Sequence, residues 1–445
     1  MGRLETVLKP FETARDWVEP RVSEGIERNR KADAEIEVVG ADGSPVSGVT
    51  VRYALRKHAF LHGANCFMLD ELETPEKNRL YKEYYRRIFN EATVPFYWCD
   101  LEPEKGKPRF AADSPRVYRR PAPDLCVAYC EQNGITPKLH CLNYDQFTPM
   151  WVDGSDVAQV KRELETRIRL IAERYRDRIH CMEVINETLC GWLSEDYRHS
   201  TAFFGEDDLI SWSFDTARKY LPDNELIINE ATYDAWTVSR GERSWYALSI
   251  LDAQRRGARI DGIGMQYHMF HRLEDEVEKT LPYYDPKRLF GVMDFYDQHF
   301  HLPLQVTEVT IPAYSESAED EELQAKLIEN LYSIWFSHPA MEAVIYWNLV
   351  DGYAFRAEPG DMSAGENYYR GGLMRFDFTF KPAYHMIDEL FNHRWHTEGS
   401  AVTGGDGKVR IRGFKGDYDV VLEKNGHRVK AACAVDGKAV RLTLA

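Results

Sequence analysis

From Phe60 onward the chain alternates short apolar runs with longer stretches in which apolar residues recur every three or four positions. The short runs are FLHGANC (60–66), ATVPFYW (92–98), ITPKLHCL (135–142), HCMEVINE (180–187), ELIINE (225–230), GIGMQYH (262–268), LPLQVTEV (302–309) and AVIYWNL (343–349). Each has the length of a strand and is apolar on consecutive positions, as a strand buried on both faces must be. Between them, segments such as DVAQVKRELETRIRLIAERYRD and EDEELQAKLIENLYSIWF keep charges on one face and apolar residues on the other, which predicts amphipathic helices. Strands of this kind alternating with such helices predict an α/β fold whose parallel sheet closes into a (β/α)8 TIM barrel, over residues 58–395.

The flanks have a different grammar. Residues 33–57 alternate apolar and polar positions around an Asp-Gly turn, the pattern of a hairpin, and residues 401–445 hold further strand-like runs punctuated by Asp-Gly and Asn-Gly. An isolated hairpin is marginal in water. Residues 1–57, an N-terminal helix and strands, and residues 396–445 are therefore expected to combine into one small accessory β-sandwich beside the barrel.

Composition narrows the partners. A net charge of -16 repels phosphate, which argues against nucleic acid and anionic membranes. No segment approaches the ~20 apolar residues of a membrane span, and MGRLETVLKPFETARDW lacks a signal-peptide core. The sequence as given reads as cytoplasmic, or as secreted if a leader preceded it. The 8 cysteines have no zinc spacing and no disulfide-scaffold density, so they read as reduced, mostly buried thiols. Neither His299 with His301 nor His268 with His271 has a third ligand at a recognisable spacing, and neither a metal nor a cofactor is expected. The 21 Phe, 25 Tyr and 10 Trp fit a large core, but flat apolar faces with polar rims also suit sugar rings. Oligomeric state leaves no mark on the sequence.

In such a barrel the active site is built at the C-terminal ends of the strands. Here those ends are polar: His140, Asn186-Glu187, Asn229-Glu230, Gln266 and His268, Glu308, and Trp347-Asn348. Glu187 and Glu308 fall on the fourth and seventh barrel strands and face one crevice. Two carboxylates across a crevice are what glycosidic cleavage needs, one as a neutral acid for the leaving oxygen and one as an anion for the anomeric carbon. Taken singly, each residue has a plainer reading: His140 and His268 as core histidines, Trp347 as packing, Asn229 as a strand-end cap, and Glu230 as half of a buried pair with an Arg.

The VINE and VTEV segments, with GIGMQYH between them, resemble the acid/base, nucleophile and sixth-strand motifs of glycoside hydrolase family 10, known for endo-β-1,4-xylanases. HCLNYDQFTPMW, WCDLEP with Gly106, and YWNLVDGYAF with GGLMRFDFTFKPAYHMI resemble the family's third-strand, second-strand and eighth-strand regions, in the right order over about residues 58–395. The resemblance implies Glu187 as acid/base, Glu308 as nucleophile and Asn186 as the 2-hydroxyl contact. It implies His140, Gln266 and His268 as hydrogen-bonding groups around the cleaved sugar, and Trp347 as its aromatic floor. Asn229 and Tyr144 join the substrate-binding group. The chain departs from the family at Thr93, Val94 and Tyr97, where xylanases carry Glu, Asn and Lys. It departs again at Tyr144-Asp145, in place of Trp-His, and at Phe355, in place of a second Trp. Those positions hold glycone sugars in the family, so the resemblance implies that the cleavage chemistry is kept and the glycone differs.

The leading expectation is a retaining β-glycosidase that cleaves β-1,4-linked xylan-like chains or xylo-oligosaccharides through two glutamates. A β-glycosidase for a short, modified or non-xylose glycone and a catalytically silent carbohydrate-binding barrel are the alternatives. A metal-dependent barrel enzyme would need ligand clusters that the strand ends do not carry.

Overall fold

In the computed structural model, which describes residues 2–189, 201–237 and 244–444, the eight apolar runs form a closed barrel. Two strands precede it, β1 (Lys31–Val39) and β2 (Thr50–His58). The barrel strands are β3 (Leu61–Asn65), β4 (Glu91–Pro95), β5 (Thr136–His140), β6 (Cys181–Asn186), β7 (Glu225–Glu230), β8 (Gly262–His268), β9 (Leu304–Thr310) and β10 (Met341–Tyr346). Each pairs in parallel with the next, and β10 returns to β3 through Ala343–Tyr346 against Leu61–Ala64. The strands β6, β8 and β9 are buried at every position, which is why they read as unbroken runs.

The surrounding helices start where the sequence supplies a cap. Thr74, Asp156 and Ser317 accept from the third backbone N–H beyond them, at the heads of helices Pro75–Ile88, Val157–Tyr175 and Ala318–Ser337. A 27-residue N-terminal helix, Arg3–Asn29, lies against Ala318–Ser337 and Pro286–Phe300 on the outside of the barrel. Arg3 ties its start to Glu276 at 2.7 Å and Asp320 at 2.5 Å. Near its end Gly25 allows close contact, since a Cβ there would stand 2.6 Å from the Ser337 carbonyl oxygen.

The last strands are β11 (Glu398–Val402), β12 (Lys408–Phe414), β13 (Gly416–Lys424), β14 (His427–Val435) and β15 (Ala439–Thr443). They form two sheets with the first two strands, in the orders β12-β1-β15 and β11-β2-β13-β14. The ends of the chain thus interleave, but β1 and β2 do not make the hairpin that the Asp-Gly turn between them suggests. β1 pairs with β12 and β15, and β2 lies between β11 and β13. Both faces of that choice are apolar: Ala34, Ile36 and Val38 alternate inward on β1, and Val51 and Leu55 on β2, so each strand gains more by joining a different sheet. A true hairpin joins β13 and β14 through Asn425 and Gly426, both at positive φ as a tight turn requires.

Among the described cysteines all are free, and Cys66, Cys126, Cys130, Cys141 and Cys181 are buried; Cys190 lies outside the described residues. No helix among the described residues is long and apolar enough to cross a membrane.

Candidate active site

Glu187 stands one residue past the end of β6, with φ at 53° and its N–H donating to the Asn229 carbonyl at 3.1 Å. Its left-handed backbone turns the chain sharply out of the strand, a strained conformation that neighbours must hold. Glu230 holds the segment that follows. Its carboxylate accepts from the backbone N–H of Thr188 at 2.7 Å, Leu189 at 3.2 Å and Ala231 at 2.9 Å, and from the Thr188 hydroxyl at 3.0 Å. Among the described residues Glu230 makes no ion pair with an Arg, as the sequence suggests it could; backbone donors hold it instead. Burial pushes Glu230 up to about 8, against the pull of the Ala231 N–H.

The Glu187 carboxylate receives the Tyr144 hydroxyl at 2.5 Å and Gln266 Nε2 at 2.9 Å. Gln266 Nε2 also reaches Asn186 Oδ1 at 3.3 Å, and Asn186 Oδ1 accepts from Asn229 Nδ2 at 2.8 Å. The same Asn229 nitrogen lies 2.9 Å from Glu308 Oε1, while its own oxygen accepts from the Thr307 hydroxyl at 2.6 Å. A chain of side-chain amides therefore runs from one carboxylate to the other. Gly264 leaves room for it: a Cβ there would come within 2.7 Å of Asn229 Oδ1.

Glu308 projects from β9 and is 4% exposed. Its other oxygen lies 3.1 Å from His268 Nε2, and His268 Nδ1 lies 2.9 Å from the Thr310 hydroxyl. Burial lowers His268 to about 4, so the neutral ring carries one proton; in the tautomer with that proton on Nε2 it donates to Glu308 and Nδ1 accepts from Thr310. Beneath lies a buried ionic stack. Lys138 Nζ meets Glu183 Oε1 at 2.7 Å, Glu183 Oε2 meets His140 Nδ1 at 2.5 Å, and that nitrogen is 4.0 Å from Glu308 Oε1. Burial opposes charge throughout, yet Lys138 and His140 outweigh it and hold Glu183 down to about 2. Glu183 in turn raises His140. Burial lifts Glu308 to about 8; His140 pulls against it, and the carboxylates of Glu183 and Glu187 add to it.

His140, Glu183 and Glu308 bring ligand-type atoms within 4.8 Å of one another. The Lys138 ammonium already neutralises Glu183, so the cluster is satisfied by the protein's own charges.

These groups line one cavity of about 500 Å³ at the C-terminal mouth of the barrel. Asn186, His140, Tyr144, Gln266, His268 and Trp347 all line it, with Glu187 and Glu308. Asn229 does not; it is fully buried behind the two carboxylates and positions them. Trp347 packs edge-on to Phe67, His140 and His268, leaving a flat aromatic floor. Tyr97 donates or accepts at His140 Nε2, 3.0 Å away, so both nitrogens of His140 are engaged within the protein. Trp98 and Trp151 belong to the support instead, bonded to Glu102 at 3.1 Å and 2.9 Å. A larger groove of about 1080 Å³ lies away from the strand ends, between the N-terminal helix and Pro286–Phe300, and contains neither carboxylate of this site.

With the carboxylate pair in place on the fourth and seventh barrel strands, comparison with known proteins is direct. Residues 62–390 match the profile of glycosyl hydrolase family 10. The chain belongs to that family. Among curated proteins it is 23% identical to the anti-sigma-I factor RsgI6 of Acetivibrio thermocellus, over 93% of this chain and 48% of that protein. It is also 23% identical to endo-1,4-beta-xylanase 1 of Arabidopsis thaliana, over 92% of this chain and 38% of the other. The chain thus spans about half, or less, of the length of these relatives. Among solved structures, xylanase 10B from Thermotoga petrophila RKU-1 in complex with xylobiose superposes with a TM-score of 0.56 at 20% identity, covering 76% of this chain and 95% of that one. Native xylanase 10B from Thermotoga maritima gives 0.56 at 22% identity, over 76% and 96%. Both share the barrel.

Five residues of this family-10 site escape a reading of strand ends. Lys138 and Glu183 sit inside strands among apolar neighbours, where only their charge marks them. Thr310 supports His268 from two residues beyond Glu308. Arg119 and Arg120 reach the cavity from the long loop between β4 and β5, a segment with no pattern of its own.

Proposed function

We propose that this chain is a retaining β-glycoside hydrolase that cleaves β-1,4-linked xylan-like chains or xylo-oligosaccharides by double displacement. The reading rests on one observation: Glu187 and Glu308 line the same cavity and are linked through Gln266, Asn186 and Asn229. Near neutrality, burial and the neighbouring carboxylates leave a proton to be placed in this site. For cleavage it must sit on Glu187 while Glu308 is an anion.

In the first step a Glu308 oxygen attacks the anomeric carbon, the glycosidic C–O bond breaks, and the Glu187 proton passes to the leaving oxygen. His268 Nε2 and Asn229 Nδ2 hold the attacking carboxylate in place. In the second step Glu187 takes a proton from water, the hydroxyl joins the anomeric carbon, and the bond to Glu308 breaks. Two inversions give net retention. Tyr144 and Gln266, both on the Glu187 carboxylate, fix it for both proton transfers.

The cavity wall opposite favours a narrower reading of the glycone. Arg120 stacks 3.7 Å over the Tyr97 ring and 5.2 Å from Phe355, so side chains fill the cavity wall at Tyr97. A short or modified glycone fits such a wall better than a long xylan chain, and weak activity on polymeric xylan is expected.

The test is the fate of the anomeric centre. Proton NMR of the first-formed product should show retained configuration. Glu308→Ala should abolish turnover of every substrate. Glu187→Ala should still release good leaving groups, stall at deglycosylation, and recover when azide is added. Inverted product, or azide rescue with the two roles exchanged, would refute the assignment, and wild-type protein inert towards every glycoside would favour a silent binding barrel.

A further inference from the structure

The reaction above makes no use of two arginines in the cleft. Arg119 and Arg120 line the cavity and are 1% and 5% exposed. Arg119 Nη1 donates to the Tyr353 carbonyl and, at 3.2 Å, to Asn348 Oδ1, both neutral acceptors. Its buried Nε has no partner, and its Nη2 makes no hydrogen bond among the described residues. Arg120 Nε donates to Asp100 at 2.9 Å and Nη1 to the Arg119 carbonyl at 3.0 Å, and its Nη2 likewise has no acceptor among the described residues.

A guanidinium carries five N–H donors in one plane. The pair therefore holds more donors than the described residues supply acceptors for, at a wall where water is largely excluded. Unfilled donors at a buried wall are costly unless a ligand completes them. Burial pushes Arg119 below the usual guanidinium range; the charge of Glu366 pulls against it, and the like charge of Arg120 adds to it.

The placement fits the glycone end. The Arg120 guanidinium lies 3.7 Å over Tyr97, Tyr97 bonds His140 at 3.0 Å, and His140 stands 4.0 Å from Glu308. Phe67, Tyr97, Phe147 and Phe355 surround Arg120, giving a flat, dry pocket beside the charge. In a chain of net charge -16 such a concentration of incompletely bonded positive charge is not a product of average composition. Among the described lining residues Glu366 is the only carboxylate besides the catalytic pair; it accepts from Asn348 Nδ2 at 3.5 Å and forms no ion pair with either arginine.

We propose that this end of the cleft receives a carboxylate-bearing sugar, a uronic-acid unit of the glycone, whose carboxylate is held by Arg119 and Arg120. The planar fork of a guanidinium matches a carboxylate in two parallel hydrogen bonds, and the aromatic wall takes the face of the sugar ring. The inference rests on the glycosidase reading for the identity of the ligand class, but its test does not depend on turnover.

Calorimetry with S-linked analogues, which are not cleaved, compares methyl thio-β-glucuronide with methyl thio-β-glucoside, and thio-xylobiose with and without a glucuronic-acid branch on the distal sugar. In at least one pair the acidic member should bind about tenfold more tightly at low salt, as a charge-assisted contact allows. The preference should shrink as salt is raised, fall to near unity in Arg119→Gln and Arg120→Gln, survive in part in Arg120→Lys, and increase in Glu366→Gln. Each ratio is taken within one preparation, so loss of folded protein cancels. Equal or weaker binding of both acidic sugars by the wild-type protein would overturn the proposal and show the arginines to be loop anchors. Failure of the glycosidase reading would appear separately, as no hydrolysis of the O-linked counterparts.

Discussion

On the proposed mechanism Glu308 is the nucleophile, and replacing Asn229 with Ala tests how far Asn229 favours its ionised form. Among the described residues Asn229 Nδ2 is one of two nitrogens within hydrogen-bond distance of Glu308, at 2.9 Å, the other being His268 Nε2 at 3.1 Å. Burial and two nearby carboxylates already lift Glu308 to about 8. A hydrogen bond to a charged group contributes about 1.5–3 kcal/mol, and losing it from the ionised form alone raises the acid by about 1–2 pH units. The sign follows from the role: the nucleophile works ionised, activity rises with pH through its titration, and the substitution moves that limb upward. Below the limb kcat/KM should drop by about 10–150-fold, with recovery towards the wild-type value at alkaline pH. The assay is kcat/KM on an aryl β-glycoside from about pH 5 to 10, with circular dichroism to confirm folding. A loss of equal size at every pH, with the limb unmoved, would show that Asn229 only packs and would refute the reasoning.

Lys138→Met should destabilise the protein by about 3–5 kcal/mol, read by denaturant unfolding at neutral pH, because it strips the ammonium from a buried Glu183. Glu183 is held at about 2, below its unfolded value, so the stability it contributes is present above the ordinary carboxylate range and fades as pH falls towards 2; the variant should lose that acid-sensitive part, and unchanged stability would count against the ionic stack. Removing residues 401–445 deletes β12 to β15 and the end of β11, leaving β1 without partners and β2 with only Glu398–Ser400 beside it, so Tm should fall although no residue lining the catalytic cavity is lost; a Tm equal to that of the whole chain would mean that the two sheets do not support the barrel.

The barrel was legible because its strands are buried on both faces, which writes them as unbroken apolar runs, and because helices between them must carry a polar face. Strand ends were legible for the opposite reason. Asn186, Glu187, Gln266 and Glu308 interrupt apolar runs, and only a shared mouth explains so many polar interruptions. Asn229 could be placed at that mouth but not behind it, since lining a cavity and supporting its lining differ only in three dimensions. Glu230 gave no sign of its backbone partners, because acceptance from N–H groups is independent of the residues that bear them. The pairing of β1 and β2 was misread from the Asp-Gly turn, since a turn sequence fixes local geometry while sheet membership depends on distant strands. The arginines were missed for a similar reason: a loop has no period, and its side chains acquire direction only from where the loop comes to rest.

The interleaved sheets carry a consequence for how the chain is made. Lys31 pairs with Phe414 and Glu35 with Ala439, so β1 leaves the ribosome about 400 residues ahead of its partners. At about 5–20 residues per second, β1 and β2 wait tens of seconds with unpaired edges, while the barrel between them can already close. Vectorial synthesis therefore leaves a nascent chain whose central barrel is ahead of its own beginning, and the exposed edges of β1 and β2 are where a holdase would be needed and where a stalled or truncated product would aggregate.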